Sequence, residues 1–149
     1  MSGRRIAKQR RRADVGIIGG GLAGLSLAYH LSQFHDLKIL VVDDGMPKPD
    51  HIWGFWDNGS PHLSLAREHA LSQWWHWQIA EPSNAKVMHG QDYHYYAVSS
   101  ATYMKALAEK CARAKVRFLN GAVMKTSINE DYSRRFMKDE QTITAHHVF

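Results

Sequence analysis

Five of the eleven glycines in this 149-residue chain fall within residues 16–24. Three of them follow the spacing Gly19-x-Gly21-x-x-Gly24. Between a strand and a helix, that spacing makes a phosphate cradle: Gly19 permits a tight turn, Gly21 lets the backbone approach a pyrophosphate, and Gly24 lets the helix pack close to the strand. The helix N-terminus then offers free N–H groups and the positive end of its dipole. Asp43 comes 19 residues after Gly24, at the end of the next apolar run. A carboxylate there can accept hydrogen bonds from ribose hydroxyls, and it favours an unphosphorylated ribose over a 2′-phosphate. Asp44 is the fallback, one residue on and facing the other way. Gly19, Gly20, Gly21, Leu22, Ala23, Gly24 and Asp43 are therefore the candidate residues for the ADP half of FAD or NAD, which the pattern alone does not separate.

These residues need a strand–turn–helix–strand unit to position them, and Asp14 to Asp44 reads as one. Asp14 to Ile18 is a short apolar run ending in glycines, as a buried parallel strand would be. Leu22, Leu25, Ala28, Tyr29 and Leu31 follow helical spacing within Leu22 to Phe34. His35-Asp36 reads as a turn, and Lys38 to Val42 as a second buried strand stopped by Gly45, Pro47 and Pro49. Further on, Pro61 to Trp77 could hold a helix with Leu65, His69, Ser72 and Trp75 on one side. Tyr93 to Val98 reads as a strand, and Ser99 or Ser100 can cap a helix running to about Lys115. Val116 to Leu119 is a third strand closed by Asn120-Gly121. Ala122 to Ile128 and Gln141 to Phe149 read as antiparallel strands joined by a polar link, Asn129 to Glu140.

Composition narrows the class. At 44% hydrophobic and 22% charged residues, the chain is of the soluble globular kind. Residues 1–12 hold six of the 19 basic residues and no acid, so the net charge of +5 belongs to a tail and the body carries 13 basic against 14 acidic residues. The tail is expected to be a disordered leader able to touch an anionic membrane surface, and no nucleic-acid partner is expected. It is not a secretory signal, because the apolar stretch after it is broken by glycines. A single cysteine, Cys111, at a helical apolar position, reads as a buried small hydrophobe and suits a reducing compartment. The ten histidines show no zinc-like spacing with a third ligand, and no metal site is expected. Ser99-Ser100 has no partnered base and reads as a cap, and Glu130-Asp131 and Arg134-Arg135 read as solvated turn charges.

Residues 50–98 hold all five Trp, three of six Tyr and six of ten His. Within them, His51-Ile52-Trp53-Gly54-Phe55-Trp56 follows the nucleotide strand, and Tyr93-His94-Tyr95-Tyr96-Ala97-Val98-Ser99-Ser100 leads into a helix. With Val15 to Leu27, these segments resemble the N-terminal part of the bacterial lycopene β-cyclase family, whose His-Thr-Trp-x-Phe-Trp segment is matched except for Ile52 at the Thr position. His146-His147-Val148-Phe149 resembles the family strand that runs into an Asp-Ser-Arg turn. The resemblance covers residues 13–149 and about the first third of a family member. It implies an α/β fold, a three-layer FAD/NAD(P)-binding Rossmann-like domain of the glutathione-reductase kind, incomplete at its C-terminus, with an aromatic-rich insertion at about 50–98.

The same resemblance implies a flavoprotein that cyclises the ends of lycopene to β-ionone rings. The reaction needs reduced FAD, with NADPH as reductant, and makes no net redox change. The expected localisation is cytoplasmic or peripheral at the inner face of the membrane. Protonating a polyene end creates a carbocation, and indole faces can stabilise a cation. Trp53, Phe55 and Trp56 are on that ground the candidate substrate-lining residues, while Trp74, Trp75 and Trp77 read as core or sheet-covering residues. None of the carboxylates present matches the family's proton donor, so no catalytic acid is assigned. Two other readings remain: an FAD-dependent monooxygenase or geranylgeranyl-reductase relative, and a non-catalytic nucleotide-binding fragment.

Overall fold

The computed structural model describes residues 11–34, 36–46, 48–128, 134–138 and 141–149. The chain forms two compact units, one of residues 1–47 and 107–149, the other of residues 48–106.

The first unit is built on a six-stranded sheet. Its strands are β1 (Arg11–Ile18), β2 (Ile39–Asp43), β8 (Arg117–Asn120), β9 (Lys125–Ile128), β10 (Arg134–Lys138) and β11 (Gln141–Val148), in the order β8-β2-β1-β11-β10-β9. The first four in that order are parallel, and β10 and β9 add antiparallel. Helix α1 (Leu22–Leu31) joins β1 to β2.

Buried residues lie on both faces of the parallel part. On one face Val15, Ile17, Ile39 and Val41 pack with Ala28 of α1 and with Cys111 and Val116. Leu40, Val42, Ile143 and Ala145 make the other cluster. Residues 39–42 of β2 are all buried, alternating between the two clusters, which is why the sequence there is continuously apolar rather than alternating. Each such side chain contributes about 1.5–3 kcal/mol over an exposed one.

The second unit carries a three-stranded antiparallel sheet, β3 (Ile52–Asp57), β7 (His94–Ser99) and β4 (Ala70–Trp74), with β7 in the middle. A separate hairpin pairs β5 (His76–Glu81) with β6 (Asn84–His89). A 3₁₀ turn at Pro61–Leu63 leads into α2 (Ser64–Glu68). Helix α3 (Ser100–Arg113) begins in this unit and ends in the first.

Several expectations are corrected. Helix in the 61–77 region stops at Glu68, because residues 70–74 pair with β7, and sheet pairing overrides a loose helical spacing. The polar link 129–140 contains strand β10, so Ile128 and Gln141 are not joined directly: β9 pairs with β10, and β10 with β11. Arg134 and Arg135 are strand rather than turn residues, while Glu130 and Asp131 lie outside the described residues. Strand β1 starts at Arg11, paired with Ile143 of β11, so the last two residues of the presumed leader belong to the sheet. Residues 1–10 and His35 lie outside the described residues.

Candidate functional site

Strand β1 ends where Gly19 turns the chain with φ +103°, a conformation that favours glycine. The Gly19 N–H still donates to the Val42 carbonyl at 2.8 Å, so the loop leaves the sheet only at Gly20. Gly21 then caps α1, and the Leu25 N–H closes the first helical turn onto the Gly21 carbonyl at 2.9 Å. No side chain caps this helix and no acid lies in its first turn. The N–H groups of Leu22, Ala23 and Gly24 are thus the orphan donors of a helix start. A Cβ on Gly19 or Gly21 would meet no atom within 4 Å, whereas one on Gly24 would overlap the Gly19 carbonyl oxygen. The loop is open on its outer side and closed on its inner side, the shape an incoming anion needs.

Asp43 reaches this loop from the end of β2. Its Oδ2 accepts from the Gly20 N–H at 2.6 Å and its Oδ1 from the Gly45 N–H at 2.9 Å. Its own carbonyl accepts from the Gly121 N–H at 2.7 Å, tying in the end of β8. The Gly20 position is closed by this acid, since a Cβ there would stand 3.1 Å from Asp43 Cβ. Asp44 instead accepts from the Met46 N–H and takes no part in the loop. All seven residues of the candidate dinucleotide site therefore converge at the C-terminal ends of β1 and β2. The sequence pattern missed the role of Gly20. Its signal is the middle place in the unbroken run Gly19-Gly20-Gly21, with an acid at the end of the next strand.

The second unit places the aromatic candidates on its sheet. Along β3 the odd residues are the more buried, so Trp53 and Phe55 share one face while Trp56, 48% exposed, is on the other. Phe55 stacks on Tyr96 at 5.4 Å with the rings 12° apart, and Trp53 meets His51 edge-on at 5.2 Å. Trp56 instead packs with Trp77 at 4.6 Å and Tyr95 at 4.8 Å, and Trp74 reaches Tyr95 at 6.0 Å. Gly54 has no side chain because the Tyr95 ring lies across it. The three candidates are thus divided between two faces. Trp74, at the end of β4, and Trp75, in the bend after it, are not core residues: they are 44% and 52% exposed.

Two polar clusters in this unit were not legible in the sequence. Asp50 accepts from the Ser99 hydroxyl at 3.0 Å, the Ser100 hydroxyl at 2.9 Å and the Ala101 N–H at 3.0 Å. The Ser99 hydroxyl in turn accepts from the Thr102 N–H at 3.2 Å. Ser99 is a cap, as expected, but a carboxylate 49 residues earlier completes it. The Ala101 amide, then the Ser100 hydroxyl, hold the Asp50 carboxyl below its ordinary value. Asp57, only 2% exposed, accepts from Arg67 Nη1 at 2.7 Å and from the Gly59 N–H at 3.2 Å. Among the described residues no group of three or more His, Cys, Asp or Glu could hold a metal ion, and no helix is long and apolar enough to cross a membrane.

Comparison with known proteins places this geometry. The chain is 29% identical over 136 residues to the chloroplastic neoxanthin synthase of Solanum tuberosum, covering 88% of this chain and 26% of that protein. A shorter match, 54% over 33 residues, is to a truncated GMC-type inactive oxidoreductase of Acanthamoeba polyphaga mimivirus, covering 22% of this chain and 8% of that protein. The chain thus spans about a quarter or less of the curated relatives it matches. Among solved structures, it superposes on a flavin-dependent brominase with TM-score 0.70 at 15% identity, over 92% of this chain and 37% of that one. It superposes on a 2-methyl-3-hydroxypyridine-5-carboxylic acid oxygenase with TM-score 0.71 at 14% identity, over 94% and 39%. The fold is therefore the α/β, Rossmann-like fold of the FAD-dependent oxidoreductases and oxygenases. The sequence model described as lycopene cyclase protein matches residues 14–149, and on that match the chain belongs to the lycopene cyclase family.

Proposed function

We propose that this chain is the nucleotide-binding part of a carotenoid-modifying flavoprotein, a lycopene β-cyclase, and that Gly19 to Gly24 with Asp43 hold the ADP half of FAD. The observation that carries the reading is the glycine loop itself: open outside Gly21, sealed at Gly24, and followed by an α1 N-terminus with no side-chain cap. In α3 the corresponding amides are taken by Asp50 and Ser99, so the contrast is within one chain. The pyrophosphate would lie against the Gly21, Leu22 and Ala23 amides, and Asp43 would take a ribose hydroxyl while keeping Gly20 in place. Reduced FAD, regenerated with NADPH, supplies the electron-rich flavin that the cyclisation needs without net redox change.

The substrate class is a linear carotene such as lycopene, whose ends close to β-ionone rings once a proton is delivered. Trp53 and Phe55 on one face of β3, or Trp56 on the other, would line the polyene and stabilise the cation; the division between faces makes these separate alternatives. The localisation that fits is cytoplasmic or peripheral to a membrane. The fold likeness to a flavin-dependent brominase and an oxygenase favours one second reading, an FAD-dependent oxygenase.

The test is FAD binding by the 149-residue chain, followed by flavin fluorescence quenching, with Gly21→Val as control. The expected result is saturable binding that the control loses while staying folded, since a Cβ at Gly21 meets no atom within 4 Å. Equal binding by both proteins would remove the loop from the site. Co-expression with the remaining length of a family member in a lycopene-making host then separates cyclised carotene from an oxygenated product.

A further inference from the structure

The nucleotide site uses the C-terminal ends of the parallel strands, and their N-terminal ends have a different character. Arg12 enters β1 there, Lys38 precedes β2, and Arg117 opens β8. They are neighbours: the Asp14 N–H donates to the Lys38 carbonyl at 2.8 Å, Leu40 pairs with Arg117, and Arg117 Nη2 donates to the Arg12 carbonyl at 2.7 Å. The last turn of α3 adds Lys110 and Arg113, and Lys115 follows before β8. All six are exposed. Among the described residues the acids at this end are Asp14, Asp36 and Glu109, and the Asp14 carboxylate is engaged by the Lys38 N–H at 2.8 Å.

Two large apolar side chains lie at the same end. The turn from α1 into β2 carries Phe34, 65% exposed, and Leu37, 37% exposed, with the Leu37 N–H donating to the Phe34 carbonyl at 3.2 Å. Basic side chains around protruding Phe and Leu fit one kind of partner better than others. An anionic bilayer attracts the charges electrostatically and takes the apolar tips below its headgroups. A nucleic acid would use the charge but would leave Phe34 and Leu37 in water.

We propose that the N-terminal end of the parallel sheet, with Arg12, Lys38, Lys110, Arg113, Lys115 and Arg117 around Phe34 and Leu37, docks on an anionic lipid surface. This surface is separate from the dinucleotide loop, which lies at the opposite ends of the same strands, so docking would leave the loop uncovered. The proposal does not depend on the cyclase reading, and its test contains neither flavin nor carotene.

The experiment is co-sedimentation of the full chain with vesicles rich in phosphatidylserine, against vesicles of phosphatidylcholine alone and against duplex DNA at equal phosphate. The triple variant Lys38→Gln, Lys110→Gln, Arg113→Gln alters exposed residues only. Each neutralised cation should cost about fivefold in partitioning, so the triple should lose about a hundredfold at low salt. Phe34→Ser, which touches no charge, should lose about tenfold at every ionic strength between ~0.05 M and ~0.5 M. Anionic selectivity with both losses supports the proposal. Equal binding to the two vesicle types, tighter binding to DNA than to anionic vesicles, or partitioning that neither variant changes would overturn it, even if the leader alone held the protein on lipid.

Discussion

A methyl group added at Gly24 would overlap the Gly19 carbonyl oxygen and stand 3.2 Å from Ile17 Cγ2, while one added at Gly21 meets nothing within 4 Å. The two glycines of one motif therefore differ: one allows α1 to pack on β1, and the other leaves open the space that the proposed ligand would approach. Gly24→Ala should lower stability by about 1–3 kcal/mol, the usual cost of overpacking, in urea unfolding followed by circular dichroism. A variant as stable as the parent would mean that α1 can slide away from the loop. A second residue-scale test concerns Asp57. Its carboxylate is buried while the Arg67 side chain is 27% exposed, so breaking the pair strands the acid rather than the base. Arg67→Met should cost about 2–3 kcal/mol, toward the low end for buried pairs because solvent reaches Arg67. Asp57→Asn in the same background should restore part of that loss, and no recovery would show that Arg67 acts through packing alone.

At the scale of elements, what could be read from the sequence was what local physics decides. The β1–loop–α1–β2 unit was legible because glycine spacing, a continuous apolar run and a terminal acid all speak for one arrangement within 31 residues, Asp14 to Asp44. Helix α3 was legible too, because Leu107 and Cys111 sit on a helical stripe and are fully buried. The segment 70–74 was not, since its strand character comes from pairing with Tyr95 to Val98, more than twenty residues on. Strand β10 was hidden for the same reason, its polar sequence being held between two partners. The Asp50 clasp also needs the fold, because nothing local links that acid to a helix 50 residues later.

That clasp predicts a pH dependence for α3. The folded carboxyl titrates below its ordinary 3.8, so its contribution is present above that value and disappears as pH falls through the lowered one. The Ala101 amide resonance should follow this titration in acid, and in Asp50→Asn it should not move. A shift that persisted in the variant would assign it to global acid unfolding instead. Cys111 gives the opposite limb. Burial pushes its thiol from 9.0 up to about 11, and its Sγ donates to the Leu25 carbonyl at 3.7 Å. The unfolded chain would lose that proton first, so stability should decline as pH rises above 9 toward 11. Cys111→Ala should flatten this limb in urea midpoints measured against pH.

At the scale of the whole molecule, the candidate dinucleotide loop belongs to the unit of residues 1–47 and 107–149, and the strands β1, β2, β8 and β11 of that unit are parallel neighbours. Parallel pairing is non-local, because each neighbour must return from a crossover before it can bond. Asp43 concentrates that problem at one residue, joining the β1 loop through Gly20, the start of the next segment through Gly45, and the end of β8 through Gly121. A ligand seated on this junction adds contacts to three segments at once and binds only when all three are assembled. FAD should therefore stabilise the folded chain by linkage, by about 2.7 kcal/mol at a free concentration one hundred times its Kd. Asp43→Asn keeps one acceptor oxygen, enough for the Gly20 or the Gly45 amide but not both, and withdraws the negative charge, so it should lose some ligand-free stability and show a smaller FAD-dependent rise in Tm. Asp43→Ala should lose both the rise and part of the ligand-free stability. If FAD raised Tm equally in all three proteins, Asp43 would be a structural tie alone, and ribose recognition would have to come from elsewhere in the loop.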